Sequence, residues 1–157
     1  MRRKLLAGLL AERWVPVITE AKPMVCVSRN YTESTERVFD AWLDKTKAAN
    51  FFFATPEGEM VCAEIDPRVG GSFMLVDRRN GIDVEHIGVY LEIDRPHRLS
   101  FILRVPHYHE ESTRVSIGFV QLERGCELIL TQEGPEFVSS TEEGWRAILD
   151  ALDDVLS

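Results

Sequence analysis

The segment EEGWRAILDALDDVL, residues 142–156, has the hydrophobic pattern of an amphipathic helix. Its large apolar residues recur at spacings of three and four and therefore share one face: Trp145, Ile148, Leu149, Leu152 and Leu156. Full burial of one such side chain contributes about 1.5–3 kcal/mol. The stripe therefore predicts a helix that is held in place by packing against another layer of the protein.

Strand-like segments upstream supply that layer. Six of them follow one another at residues 60–66, 72–77, 83–93, 99–105, 113–122 and 126–133, and a shorter one precedes them at residues 24–29. Asn80-Gly81 and Arg124-Gly125 have the composition of tight hairpin turns. Because no helical pattern interrupts residues 60–133, we expect antiparallel pairing, since parallel strands require crossover connections.

Alternation within two strands indicates which side chains face the core. The apolar side of one strand is Leu99, Phe101, Leu103 and Val105, and that of the preceding strand is Ile87, Val89, Leu91 and Ile93. On this register His86 faces outward unless a bulge shifts it.

Glu85 falls in register with Ile87, Val89 and Leu91, the apolar side of the earlier of these two strands. The register predicts an inward carboxylate near the strand end, whose pKa an apolar wall would raise. Such a group could act as an acid or a base, which makes Glu85 the best catalytic candidate, although the sequence identifies no catalytic residue. The alternative is a residue at the rim, in contact with water.

Two short helical patterns, at residues 36–42 and 45–52, follow the first strand. The sequence therefore predicts an α+β domain at residues 23–157, with an antiparallel sheet of about six or seven strands and a long C-terminal helix. Residues 1–22 are predicted to be an N-terminal extension. A sheet crossed by one long helix, with a small helix at one end, tends to enclose an apolar hollow.

Charge and cysteine content restrict the partners and the compartment. The formal net charge of -8 argues against nucleic acid and against an anionic membrane surface. The apolar run at residues 5–11 is too short to cross a bilayer, so we expect no membrane insertion. Three widely separated cysteines, Cys26, Cys62 and Cys126, indicate reduced thiols and a cytoplasmic location.

Five short motifs, in order, carry a family resemblance: VFDAW at residues 38–42, DPRVGG at 66–71, GVYLEI at 88–93, RPHRL at 95–99 and EGW at 143–145. Together they resemble the bacterial relatives of the heat-shock ATPase activator, within the START/pollen-allergen-like helix-grip (SRPBCC) superfamily. The resemblance covers residues 24–156. It implies a curved sheet that grips the C-terminal helix, with a hydrophobic cavity between them.

Our first functional hypothesis is the binding of a small hydrophobic molecule, such as a lipid, a polyketide or an aromatic metabolite, in this cavity. The predicted wall consists of Phe39, Trp42, Phe52, Phe73, Leu75, Ile87, Val89, Phe101, Leu103, Trp145 and Leu149. Binding would be driven by the burial of apolar area, with few polar contacts.

Two other hypotheses stay open. The protein is a cyclase or hydratase acting on a hydrophobic carbonyl compound, with Glu85 as its acid or base, or it is a co-chaperone-like interaction protein that binds a chaperone or a second copy of itself. No cofactor is expected. His107 and His109 lie beside Glu110 and Glu111, but the sequence identifies no third ligand outside this exposed segment, so no functional metal site is predicted.

Overall fold

Seven strands form one antiparallel sheet in the order β1-β7-β6-β5-β4-β3-β2. The computed structural model describes residues 24–134 and 139–157. Its strands are β1 (Met24–Tyr31), β2 (Glu59–Ile65), β3 (Ser72–Arg79), β4 (Ile82–Asp94), β5 (Arg98–Arg104), β6 (Thr113–Gln121) and β7 (Cys126–Glu133). Its helices are α1 (Thr35–Leu43), α2 (Lys45–Ala48) and α3 (Ser139–Leu156). The predicted α+β helix-grip fold is confirmed, whereas the predicted extension at residues 1–22 lies outside the described residues.

The two predicted hairpin turns have the backbone conformation that their residues favour. Asn80 and Gly81 both adopt positive φ, 53° and 80°, between β3 and β4. Gly125, between β6 and β7, has a φ of 77°, and a Cβ there would lie 1.9 Å from the carbonyl oxygen of Tyr31. Only glycine meets both requirements at this position.

Polar caps separate the two short helices and fix where they begin. The Ser34 hydroxyl accepts a 3.2 Å hydrogen bond from the backbone N–H of Arg37 and so caps α1. Asp44 ends α1, and its carboxylate accepts from the N–H of Thr46 at 2.9 Å to start α2. The buried face of α1 then packs Trp42 edge-on against Phe51, with 5.0 Å between ring centroids.

The apolar stripe of α3 packs against the concave face of the sheet. All five stripe residues predicted from the sequence are buried. The hydroxyl of Tyr31 on β1 donates a 2.8 Å hydrogen bond to the carbonyl of Leu149. On the same strand, Arg29 forms ion pairs with Asp150 and Asp153 of α3. Polar contacts at the edge of the sheet therefore fix the position that the apolar stripe selects.

The predicted facing of β4 is wrong over most of its length. Val84, His86, Gly88 and Tyr90 face the core, whereas Glu85, Val89 and Leu91 are exposed and Ile87 is half-buried on the outer face. The cause is a bulge: Tyr90 pairs with Phe101 and Glu92 with Ser100, so Leu91 is an extra residue. Because a bulge inverts the alternation, Ile93 packs on the core while the apolar residues before it point away.

Within residues 24–134 and 139–157, no helix is both long enough and apolar enough to cross a membrane.

Candidate functional site

A cavity of about 780 Å³ lies between the sheet and the N-terminal half of α3. The segment after α2 and the loop between β5 and β6 form the rest of its wall. The lining residues in the described part of the chain are Phe53, Ala54, Thr55, Pro56, Arg79, His86, Leu103, Val105, Tyr108, His109, Glu111, Thr113, Gln132, Thr141, Gly144, Trp145, Ala147 and Ile148. This volume is in the range of small-molecule sites, and the wall combines apolar side chains with a few polar groups, as such sites do.

Arg79, at the end of β3, is the most constrained polar group in this wall. Its Nε donates to the Asp77 carboxylate at 2.8 Å, Nη1 donates to the Tyr108 hydroxyl at 3.0 Å, and Nη2 donates to the carbonyl of Phe53 at 3.0 Å. Asp77 is only 1% exposed and accepts a second bond, at 2.7 Å, from the hydroxyl of Thr55. The guanidinium is therefore fixed by acceptors from three separate segments.

His86, on β4, is 3% exposed and stacks on the ring of Phe53, with centroids 4.2 Å apart and an angle of 12° between the rings. Burial, reinforced by the positive charge of Arg79, lowers the pKa of His86 to about 4. The imidazole is consequently neutral at pH 7. Its Nδ1 lies 3.2 Å from the carbonyl oxygen of Leu75, which can only accept, so we place the proton on Nδ1 and leave Nε2 as an acceptor.

A chain of hydrogen bonds joins α3 to the sheet at the other side of the cavity. The indole N–H of Trp145 donates to Gln132 Oε1 at 2.6 Å, and Gln132 Nε2 donates to the Thr113 hydroxyl at 2.9 Å. All three side chains are buried. This chain fixes the indole so that its ring forms part of the cavity wall.

The structure brings two of the predicted wall residues, Leu103 and Trp145, to the cavity. Seven others are buried in the core and do not line the cavity: Phe39, Trp42, Phe52, Phe73, Leu75, Phe101 and Leu149. Ile87 and Val89 lie on the opposite face of the sheet because of the bulge in β4. A ligand-binding role for Leu103 and Trp145 stays a prediction.

Glu85 is exposed on the outer face of β4, so the expectation that its carboxylate points inward is wrong. His86, which was expected to face outward, takes the inward position. In the segment at residues 107–111, Tyr108, His109 and Glu111 line the cavity. Within residues 24–134 and 139–157, no three His, Cys, Asp or Glu side chains are placed to hold a metal ion.

Sequence reasoning missed the polar residues of the cavity although a signal for them was present. Asp77 and Arg79 are in phase with the buried Phe73 and Leu75, and Gln132 is in phase with Leu128 and Leu130. Extending each alternation to the end of its strand would have placed these polar side chains on the concave face. A polar residue in the apolar phase near a strand end is the pattern that marks this site.

The family follows from the sequence itself. Residues 33–157 match the family model described as "Activator of Hsp90 ATPase homolog 1-like protein". The chain belongs to this family. The seven-stranded sheet and long C-terminal helix of this AHSA1-like chain agree with the helix-grip superfamily. A search of curated proteins found no match to it.

Solved structures resemble the AHSA1-like chain over most of its length. A protein from Chromobacterium violaceum has 24% identity and a TM-score of 0.78, and the match covers 85% of this chain and 96% of that one. An AHSA1-like protein from Aeromonas hydrophila has 20% identity and a TM-score of 0.75, covering 85% and 92% of the two chains. At these identities the likeness shows the fold alone.

Proposed function

We propose that the protein binds a small, largely apolar molecule in the cavity between the sheet and α3. The observation that carries the proposal is the wall of the 780 Å³ cavity, where Leu103, Val105, Ile148 and Trp145 stand beside a few fixed polar groups. Burial of apolar ligand area supplies the affinity, and the polar groups orient the ligand.

The chemistry of His86, a buried titratable ring in the described part of this wall, favours binding over catalysis. A general base works best when its pKa is close to the working pH. Burial lowers the pKa of His86 to about 4, so its Nε2 is a weak base at neutral pH. A neutral imidazole of this kind is better suited to accepting a hydrogen bond than to removing a proton.

The test is to fill the cavity and measure the binding of Nile red, an uncharged apolar dye that fluoresces in apolar surroundings. Leu103→Trp places an indole in the wall and should weaken dye binding at least about tenfold, since the ligand and the indole compete for the same space. Val89→Trp is the matched control, because Val89 is 42% exposed on the other face of the sheet. Equal dye affinity in both variants, with both folded by circular dichroism, would contradict the proposal.

A second candidate function is a protein interaction through the outer face of the sheet. Val89 and Leu91 are exposed there, and Ile87 and Ile102 are half-buried beside them. The family description names an activator of a chaperone ATPase, which points to a chaperone as the partner. Sedimentation and chaperone pull-down of wild-type protein and Val89→Glu test this role, and identical behaviour of the two proteins would count against it.

A further inference from the structure

Several polar groups of the cavity keep hydrogen-bonding capacity for a ligand. Trp145, Gln132 and Thr113 bond to one another in a chain, which leaves the Thr113 hydroxyl proton and one N–H of Gln132 without an acceptor among the described residues. Arg79 and His86 are a charged donor and a buried ring nitrogen, and each fixes its orientation through the protein and keeps hydrogen-bonding capacity beyond it. These two side chains therefore restrict what a ligand can present.

Arg79 has donor capacity to spare. A guanidinium carries five N–H bonds. Asp77, Tyr108 and the carbonyl of Phe53 each accept one from Arg79, and no other residue of the described chain accepts the remaining two. A ligand oxygen beside Arg79 would therefore meet a donor that is already oriented.

The charge around Arg79 determines what kind of oxygen fits. Its positive charge is cancelled at 2.8 Å by the buried carboxylate of Asp77, and Glu111 adds a negative side chain to the cavity lining. A ligand carboxylate would lose its hydration without meeting net positive charge, which is costly. An uncharged acceptor, such as a carbonyl oxygen, takes the same N–H bonds without that cost.

His86 offers the ligand a hydrogen-bond acceptor. Since Nδ1 donates to the carbonyl of Leu75, Nε2 carries a lone pair, and no donor from the described residues reaches it. The side chain is 3% exposed and lines the cavity, so whatever satisfies this nitrogen comes from the cavity, either water or a ligand. A ligand hydroxyl can donate to it.

The donor of Arg79 and the acceptor of His86 lie at separate places along the cavity wall. Leu75 pairs with His86 across β3 and β4, and Arg79 lies four residues further along β3. At about 3.3 Å per residue, their backbone positions are roughly 13 Å apart along the strand. Arg79 bends back to Asp77, which shortens the distance between the two polar ends. A ligand that reaches both groups must therefore carry two polar groups separated by an apolar portion.

We propose that the ligand is an uncharged, mostly apolar molecule whose carbonyl-type oxygen accepts from Arg79 and whose separate hydroxyl donates to His86. This inference rests on the proposed function, because it assigns chemistry to the ligand of the same cavity.

Three naphthalenes of one shape test it at pH 7 by isothermal titration calorimetry. They are the hydroxy ketone 6-hydroxy-2-acetylnaphthalene, its methoxy analogue, and the carboxylate 6-hydroxy-2-naphthoate. The hydroxy ketone should bind at least about tenfold more tightly than the carboxylate, because only the latter buries a charge. Equal or tighter binding of the carboxylate overturns the proposal, and this comparison requires no variant.

His86→Phe then tests the hydroxyl, because it keeps a ring stacked on Phe53 and removes the acceptor. The hydroxy ketone should lose about five- to tenfold in affinity, as expected for one hydrogen bond, while the methoxy ketone is unaffected. His97→Phe is the matched control, since the side chain of His97 is 71% exposed and does not line the cavity. Equal losses for both ketones in His86→Phe would overturn the assignment of His86.

Nile red separates failure of this inference from failure of the proposed function. If the dye binds, Leu103→Trp excludes it, and the carboxylate is nevertheless preferred, only the ligand chemistry proposed here is overturned. If the wild-type protein binds neither the dye nor any of the naphthalenes, the proposed function is overturned together with the inference.

Discussion

The Nε of Arg79 lies 2.8 Å from the carboxylate of Asp77, and this ion pair joins two very different environments. Asp77 is buried beneath the cavity wall, whereas the side chain of Arg79 is 23% exposed and forms part of that wall. The pair is therefore both a structural contact and the feature that gives the cavity a donor without a net charge.

Removal of Arg79 should destabilise the protein strongly, because it leaves the carboxylate of Asp77 buried without its counter-charge. We expect Arg79→Met to lower the free energy of unfolding by about 3 kcal/mol, the lower end of the range for buried pairs, since Arg79 is partly exposed. Urea denaturation at pH 7 measures the change.

Arg78 provides the control for this variant. Its partner Asp83 lies at 2.7 Å, but both side chains are about half exposed, and exposed pairs contribute little to stability. Arg78→Met should leave the urea midpoint essentially unchanged. Equal effects at Arg78 and Arg79 would show that the burial of Asp77 does not govern the energetics of its ion pair.

The buried, neutral His86 predicts a specific loss of stability in mild acid. The pKa of His86 falls from 6.5 in the unfolded chain to about 4 in the folded protein, so the unfolded state binds the proton first. Stability is fully present above pH 6.5 and declines as the pH falls from 6.5 towards 4.

Between pH 7 and pH 5, the proton on His86 should cost about 2 kcal/mol of unfolding free energy. Denaturation curves of wild-type protein and His86→Phe at both pH values isolate this contribution, because other groups titrate alike in the two proteins. A difference between the two proteins that does not depend on pH would mean that His86 is not buried in its neutral form.

A side chain at position 88 should destabilise the protein, because Gly88 faces the core against an aromatic cluster. A Cβ at this position would lie 2.1 Å from Cε2 of Phe73, whose ring packs edge-on against Phe101 at 5.1 Å between centroids. We expect Gly88→Ala to lower the free energy of unfolding by about 1–3 kcal/mol, as overpacked cores do.

Gly118 is the matched control, because it is also a strand glycine and a Cβ there meets its nearest atom at 4.0 Å. Gly118→Ala should change the free energy of unfolding by less than about 0.5 kcal/mol. If both variants were equally stable, the packing of Phe73 against the backbone of β4 would be looser than the structure shows.

Much of the fold could be predicted from the sequence because its signals are local. The stripe from Trp145 to Leu156 requires a helix against a sheet, and Asn80-Gly81 specifies a tight turn whatever surrounds it. Alternation in β5 and at the residue after it also placed Leu99, Phe101, Leu103 and Val105 correctly on the core side.

The facing of β4 could not be predicted in the same way, because it depends on a bulge at Leu91 that only pairing with β5 reveals. Ile87, Val89 and Ile93 look like one apolar face, yet the extra residue places Ile93 inside and Val89 outside. For the same reason His86, and not Glu85, lies on the concave face. The location of the candidate site between sheet and helix was therefore expected, but its polar residues were not.

The two described indoles allow a direct measurement of where a ligand lies. The N–H of Trp145 bonds to Gln132 at the cavity, whereas Trp42 is fully buried in the core. Nitrogen–proton correlation spectra can follow both indole signals, once Trp145→Phe and Trp42→Phe have assigned them, during titration with an uncharged naphthyl ketone. The Trp145 signal should shift in a saturable way while that of Trp42 stays in place. A shift of Trp42 alone, or no shift of either signal at saturating ketone, would contradict it.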